Sequence, residues 1–171
     1  MKMEQDKQKI FRDAMSNLAA AVNIVTTGGK AGLGGITATA VCSVSDSPAT
    51  MLVCVNQQSG SHDKFRENEN VCINICSQEQ EPMSYHFAGM TKLTMDERFQ
   101  LPDWTLSEIG VPKLDGAIAN LEGRIKSVNE VGTHSVFYVE IEDININSSK
   151  DALIYFNREF RTVKNAQATA A

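Results

Sequence analysis

What the chain lacks narrows its function first. No apolar run approaches the ~20 residues that a membrane-spanning helix needs, so no membrane segment is expected. Lys and Arg nowhere cluster or alternate with aromatics, and the formal net charge is −5. A nucleic-acid partner is therefore not expected, because phosphate neutralisation requires gathered cations. There is no GxxxxGK[ST] phosphate loop, no GxSxG elbow and no HExxH pair, which removes the commonest phosphate-loop, hydrolase and zinc-protease chemistries. A CxxC pair is missing and the three histidines are scattered, so no metal site is expected. The opening residues MKMEQDKQKIFRDAM hold no apolar signal core, and a cytoplasmic protein is expected.

What is present describes an ordinary globular chain. Its 171 residues, 42% hydrophobic and 22% charged, suffice for one domain with a real core. The four cysteines sit in apolar, strand-like runs. If VCINIC is extended, Cys72 and Cys76 stand about 13 Å apart, beyond the roughly 7 Å that a disulfide tolerates. All four are read as buried, reduced thiols.

Periodicity supplies the elements. Ile10, Phe11, Ala14, Met15, Leu18, Ala19 and Val22 form one helical stripe, predicting a helix over 7–22. NIVTT reads as a strand and GGKAGLGG as a hairpin loop. The stretch GGITATAVCSVSDSP alternates as a single strand over 34–48, and TMLVCVN is a continuous apolar strand buried on both faces. Ser61 should cap a short helix with Phe65 turned inward, and Ser77 with Gln80 makes a capping-box signal for another that stops at Gly89. Pro82 should irregularise that helix's first turn. The connection over 90–115 is too long to be featureless. GAIANLEGRIKSV and THSVFYVEIEDI are long strands joined by NEVG, and ALIYFNREF is the last strand. Residues 164–171 are expected to be a mobile tail, leaving a single domain over 1–163. About six or seven strands with two or three helices, and no βαβ alternation, favour an antiparallel barrel with helices outside it.

The stretch 34–48 carries the functional question. Ile36, Ala38, Ala40, Cys42 and Val44 point one way, while Thr37, Thr39, Val41, Ser43 and Ser45 point the other. Two readings are open for the hydroxyl-bearing face: a solvated strand side, or a surface of small groups on which a flat heterocycle lies against the backbone. NQQSGSH, between a buried strand and a helix start, is either a polar loop or a phosphate cradle. His134, in GTHSVF, stands at the start of a long strand. The glycines at 28, 29, 32, 34 and 35 miss the G-x-G-x-x-G spacing and lead into a strand, so a Rossmann site is not supported.

Taken in order, AAAVNIVTT, GITATAVCSVSDSP, LVCVNQQS, HFAGM, ERF, LEGRI, GTHSVFYVEI and LIYFNREF resemble the flavin reductase-like, FMN-binding split-barrel family over about 10–163. The resemblance implies a mainly β fold with flanking helices, an antiparallel Greek-key split barrel that forms a homodimer. It implies an enzyme that oxidises NADH, binds FAD or FMN, and supplies diffusible reduced flavin to the monooxygenase component of a two-component aromatic hydroxylase. Thr39, Ala40, Val41 and Cys42 would line the isoalloxazine; Asn56, Gln57, Ser59, Ser61 and His62 would hold the ribityl and phosphate; Phe87, Ala88 and Gly89 would approach the flavin. Gly132, Thr133 and His134 match a Gly-Asp-His-type turn associated with NADH, with Thr133 in place of the acid. No side chain is assigned as a catalytic acid or base, since the cofactors carry the chemistry. A split-barrel oxidase that retains its flavin and a non-enzymatic flavin-binding protein are the alternatives.

Overall fold

The computed structural model describes residues 2–166. Helix α1 (Lys2–Met15) precedes β1 (Ala20–Ala21), β2 (Asn23–Thr27), β3 (Gly34–Ala38), β4 (Val41–Asp46) and β5 (Ala49–Asn56). Helix α2 (His62–Asn68) leads to β6 (Asn70–Ile75), and a 3-10 turn at Gln78–Gln80 runs into α3 (Glu81–Phe87). Then come α4 (Met95–Gln100), β7 (Trp104–Leu106), β8 (Pro112–Leu114), β9 (Ala119–Val131), β10 (His134–Ile146), β11 (Ala152–Phe156) and β12 (Glu159–Val163).

Seven strands form one antiparallel sheet in the order β3-β2-β6-β9-β10-β5-β4. Its two edge strands, β3 and β4, are consecutive in the chain and separated only by Thr39 and Ala40. The sheet must curl until its edges meet, which makes the antiparallel split barrel. Strand alternation divides the packing. Val25, Val53, Val55, Val71, Ile73 and Val139 point into the barrel with Phe65 and Phe137. Ile24 and Val22 point outward, where Met83, Phe87, Leu114 and Leu153 cover them. Full burial of Phe65 and Phe137 contributes about 2–3 kcal/mol each. Asn74, fully buried, ties the layers together. Its amide nitrogen donates to Ile24 O at 2.8 Å, and its oxygen accepts from Leu114 N at 2.9 Å and Asn120 Nδ2 at 2.8 Å.

Several local expectations need correction. The stretch 34–48 is two strands. Its parity flips at Thr39–Ala40, so Ile36, Ala38 and Val41 all pack on the barrel interior while Cys42 and Val44 are exposed. The first helix ends at Met15, and its stripe stays open, with Ile10 68%, Phe11 62% and Leu18 65% exposed. β5 is not buried on both faces: Val53, Val55 and the partly buried Met51 pack on the barrel interior, while the alternate residues Thr50, Leu52 and Cys54 are only half-buried. ALIYFNREF is a hairpin: Asn157 and Arg158 both take left-handed φ, 51° and 62°, which a two-residue turn between strands requires. Pro82 does irregularise its helix, in that a 3-10 turn precedes α3 and the proline falls in the helix's first positions. Residues 167–171 of the expected tail lie outside the described residues; Lys164 and Asn165 bond to the Asp151 carboxylate at 2.7 and 2.9 Å.

Gly123 is where the long β9–β10 hairpin demands a glycine. A Cβ there would sit 2.0 Å from Glu140 O. Gly123→Ala is expected to lower unfolding free energy by about 1–3 kcal/mol, measured by urea denaturation; an unchanged midpoint would contradict this close approach.

Candidate functional site

The barrel does not zip shut along its whole seam. β4 pairs with β5 only from Ala49 to Val53, so Cys54–Asn56 runs on past it. β3 has β2 as its single ladder partner. The free edge of β3 and the end of β5 therefore face each other across a cleft of about 300 Å³, lined by Ile36–Ala40, Cys54–Asn56, Ser59, Phe87, Ala88 and His134. At the corner, Cys54 N donates to Ala40 O at 3.0 Å and Val41 N to Thr39 O at 2.9 Å.

The free edge is partly satisfied from within. Ser61 Oγ lies 3.1 Å from both Gly35 N and Gly35 O. Because alternate residues of a strand face alternate partners, the Thr37 N–H and C=O point the same way as those of Gly35, along the cleft. The Thr37 hydroxyl turns instead to Ser84 O at 2.7 Å. Gly35 also has to be a glycine, since a Cβ would meet the Phe87 ring at 2.7 Å. The floor of the cleft is thus fixed by Phe87, which packs on Phe99 and Trp104 with centroids 5.1 and 5.3 Å away.

The Asn56–Ser61 loop is ordered by its own bonds. Ser59 N donates to Asn56 O at 2.9 Å, Gln58 N to Asn56 Oδ1 at 2.9 Å and Ser61 N to Ser59 Oγ at 3.3 Å. Gln57 N donates to Thr133 O at 3.0 Å, which joins this loop to the Gly132–Thr133 turn. Asn56 and Ser59 line the cleft. Gln57 is exposed beside it and reaches His134 O at 3.4 Å. Ser61 is 1% exposed and makes no side-chain cap to α2, because its hydroxyl is held by Gly35. His62 is buried behind the loop, with Nδ1 2.9 Å from Asp63 Oδ1 and Nε2 2.9 Å from Ser135 Oγ. Both ring nitrogens are engaged, so His62 supports the cleft from behind.

The remaining expected residues fall around the same cleft. Beside Phe87 in the floor, Ala88 forms the far wall, and Gly89 stops α3 with φ 73° at its rim. His134 faces Asn56 across the β10–β5 ladder, and its Nδ1 lies 2.9 Å from Thr133 Oγ1. Gly132 takes φ 57° in the turn. Val41 packs inward and Cys42 lies one step beyond the corner, so neither borders the cleft itself. Beyond the Thr37–Thr39 ridge and Ala88 lies a larger cavity of about 540 Å³, walled by Tyr85, Tyr155 and Phe160.

The cysteines are not uniformly buried. Cys42 is exposed, Cys54 is half-buried on the cleft wall, and Cys72 and Cys76 are buried. Strand parity explains the split, because the flip at Thr39–Ala40 turns Cys42 outward. Burial pushes the Cys72 thiol well above the ordinary range and Cys76 up to about 12; Cys54 is raised by burial and then by neighbouring Cys42. Sequence reasoning gave no role to Arg98 of the ERF motif, which borders the continuation of the cleft, and missed the T-x-x-E capping box of Thr94 and Glu97 that sets its helix. That motif was readable in TMDE.

An incompletely zipped barrel, with backbone edges and small side chains along its seam, defines a split-barrel protein with a place for a planar ligand. The sequence model of the family described as flavin reductase like domain matches residues 15–164, and the chain belongs to that family. It is 48% identical over 164 residues to the 4-hydroxyphenylacetate 3-monooxygenase reductase component of Pseudomonas aeruginosa, covering 96% of each chain. It is 44% identical over 153 residues to the FMN reductase (NADH) RutF of Pseudomonas syringae, covering 90% of this chain and 85% of that one. Among solved structures, the NADH:FAD oxidoreductase SgcE6 of Streptomyces globisporus, in complex with NAD and FAD fragments, superposes with a TM-score of 0.85 at 26% identity, covering 94% and 95%.

The residues present fit a flavin. The cleft offers backbone N–H and C=O at Thr37, methyl-sized side chains at Ala38, Ala40 and Ala88, and polar Asn56 and Ser59 at one end. Alkylation by iodoacetamide, followed by mass spectrometry, is expected to mark Cys42 readily, Cys54 slowly, and Cys72 and Cys76 only after unfolding. Saturating FMN should slow Cys54 further; equal labelling with and without FMN would remove the flavin from this cleft.

Proposed function

We propose that the protein is an NADH-dependent flavin reductase that supplies diffusible reduced FAD or FMN to the oxygenase component of a two-component aromatic hydroxylase, of the 4-hydroxyphenylacetate 3-monooxygenase type. The carrying observation is the cleft between the β3 edge and the end of β5, in a chain 48% identical to such a reductase component. When bound, the flavin supplies the two-electron chemistry that links NADH to a later oxygen-using step. The chain's own work is to orient and to polarise. The Thr37 and Ala40 backbones would meet the edge of a bound ring, where fixed amide dipoles would stabilise negative charge without reorganisation. Thr39, Val41 and Cys42 shape the corner that carries them. Ala88, with only a methyl side chain on the cleft wall, would leave room for a nicotinamide beside a bound flavin.

Asn56, Gln57 and Ser59 hold the ribityl chain and its phosphate, with Ser61 and His62 bracing them. Phe87 and Gly89 bound the groove. Gly132 and Thr133 present His134 to the nicotinamide, and the Thr133 hydroxyl, a neutral group, orients its ring at 2.9 Å. No side chain is assigned as a proton donor or acceptor. An open, shallow cleft suits a flavin that leaves after reduction.

The same reading makes 1–163 one domain, with 164–171 as a tail, working in the cytoplasm where NADH is made. It also pairs two copies of the chain, which would cover the exposed Ile10, Phe11 and Leu18 of the N-terminal segment. Among the described residues no helix is long and apolar enough to cross a membrane, and no three His, Cys, Asp or Glu side chains gather to hold a metal.

NADH oxidation, followed by absorbance, should require added flavin and yield free reduced flavin. His134→Ala is expected to raise the NADH KM about tenfold, a loss of roughly 1.4 kcal/mol, with flavin affinity little changed. An unchanged NADH KM would contradict the histidine's role, tightly retained flavin would favour an oxidase, and a monomer on sedimentation would contradict the pairing.

A further inference from the structure

Two of the four cysteines stand together on the seam. Cys42 is exposed on β4 and Cys54 half-buried on β5, whereas Cys72 and Cys76 are buried. Cys42 lies directly opposite Leu52 in the β4–β5 ladder, and Cys54 N donates to Ala40 O at 3.0 Å. Residues that stand opposite share a face of the sheet, and so do residues two apart on one strand. Cys42 and Cys54 are therefore diagonal neighbours on the outer face of the barrel, turned away from Val41, Val53 and Val55. Burial and then the neighbouring Cys42 raise the Cys54 thiol, so the two side chains stand within electrostatic reach of each other.

Diagonal positions of an antiparallel pair leave Cα atoms about 7–8 Å apart, just beyond the roughly 7 Å that a disulfide spans. The small remaining approach can come from β4. It is an edge strand with β5 as its single ladder partner, and its register shifts between Ser43 and Ser45. The same movement reaches the cleft. Cys54 lines it, and so does Ala40, two residues before Cys42. Drawing Cys42 onto Cys54 displaces the corner on which the Ala40 backbone is carried. The two thiols also differ in access, as the two partners of a stepwise oxidation must. Cys42 meets solvent, while Cys54 is half-covered and held above its ordinary range by that burial.

We propose that Cys42 and Cys54 form a peroxide-reactive dithiol whose oxidation closes the flavin cleft. The oxidant is hydrogen peroxide, the two-electron product of dioxygen and released reduced flavin. The Cys42 thiolate attacks one peroxide oxygen, the O–O bond breaks, hydroxide leaves, and Cys42 carries a sulfenic acid. The Cys54 sulfur then attacks the Cys42 sulfur and the S–O bond breaks. The departing hydroxyl takes the Cys54 proton and leaves as water. In sum, two thiols and one peroxide become one disulfide and two waters, and a dithiol reductant reverses the bond by exchange. Transient disulfides of this kind are the ones a reducing compartment allows. The inference rests on the flavin-reductase reading for its source of peroxide, and adds a control to it: a reductase whose flavin is lost to dioxygen shuts its own cleft.

The test treats the wild type with hydrogen peroxide in the absence of flavin, removes the excess with catalase, and reads two quantities. One is the disulfide map, by mass spectrometry of non-reduced peptides; the other is FMN affinity, by quenching of flavin fluorescence. A Cys42–Cys54 bond is expected, with FMN binding weakened at least about tenfold and both changes reversed by dithiothreitol. Cys42→Ser and Cys54→Ser, each compared with its own untreated sample, should lose less than about twofold in affinity. In Cys54→Ser, dimedone should trap the Cys42 sulfenic acid. Peroxide that leaves both thiols free, or that joins Cys42 to the Cys42 of a second copy, would overturn the pair. A Cys42–Cys54 bond that leaves FMN affinity unchanged would overturn the closure. Untreated wild type that binds no FMN overturns the reductase reading itself, and the peptide map, which needs neither flavin nor a variant, still decides whether the pair forms.

Discussion

One covalent constraint organises the molecule: the strands at opposite edges of the seven-stranded sheet are joined by just two residues, Thr39 and Ala40. A sheet so tethered cannot lie open, yet its edges cannot pair along their length either, because the chain passes from one to the other at the corner. The seam that results exposes backbone hydrogen-bonding groups between two rigid strands. Elsewhere such groups would be a liability. Here they sit against a hydrophobic interior that fixes their positions, which is what a binding edge for a planar heterocycle needs.

The surroundings of the seam keep it from collapsing. Ser61 satisfies Gly35 and no more, leaving the next outward-facing residue, Thr37, to the cleft. Phe87 fills the space under Gly35 and is itself wedged by Phe99 and Trp104. Behind the loop, Asp63, His62 and Ser135 form a hydrogen-bonded chain that ties the start of α2 to the strand carrying His134. That chain looks like a nucleophile-activating triad, but Ser135 is fully buried and no reacting group can reach its hydroxyl. Its effect is to lock two sides of the cleft in one register.

Much of this was legible in the sequence, and the failures have physical causes. Strand alternation, the hairpin glycines and the Ser77–Gln80 box placed most elements, and the ordered motifs placed the cleft residues Thr39, Ala40, Asn56, Ser59, Phe87, Ala88 and His134 together. The break at Thr39–Ala40 was hidden because ATAV contains no glycine or proline and both halves alternate with the same period. Hence the misplaced faces of Val41 and Cys42. The Asn157–Arg158 turn was hidden for a like reason, since it lacks the glycine that usually marks two left-handed residues. The first helix stripe was read as buried because periodicity reports an apolar face and says nothing of what covers it. Arg98 lies within the ERF motif, but neither its type nor its spacing says that it borders the continuation of the cleft.

The central claim is that the planar ligand occupies the seam between the β3 edge and the end of β5. The most direct measurement is a crystal structure of the protein soaked with FMN. The account predicts the isoalloxazine edge against the Thr37–Ala40 backbone, with Ala88 on one face and the phosphate beyond Ser59. Ring density anywhere else, or a seam closed by the protein's own side chains with FMN absent from it, would contradict the account.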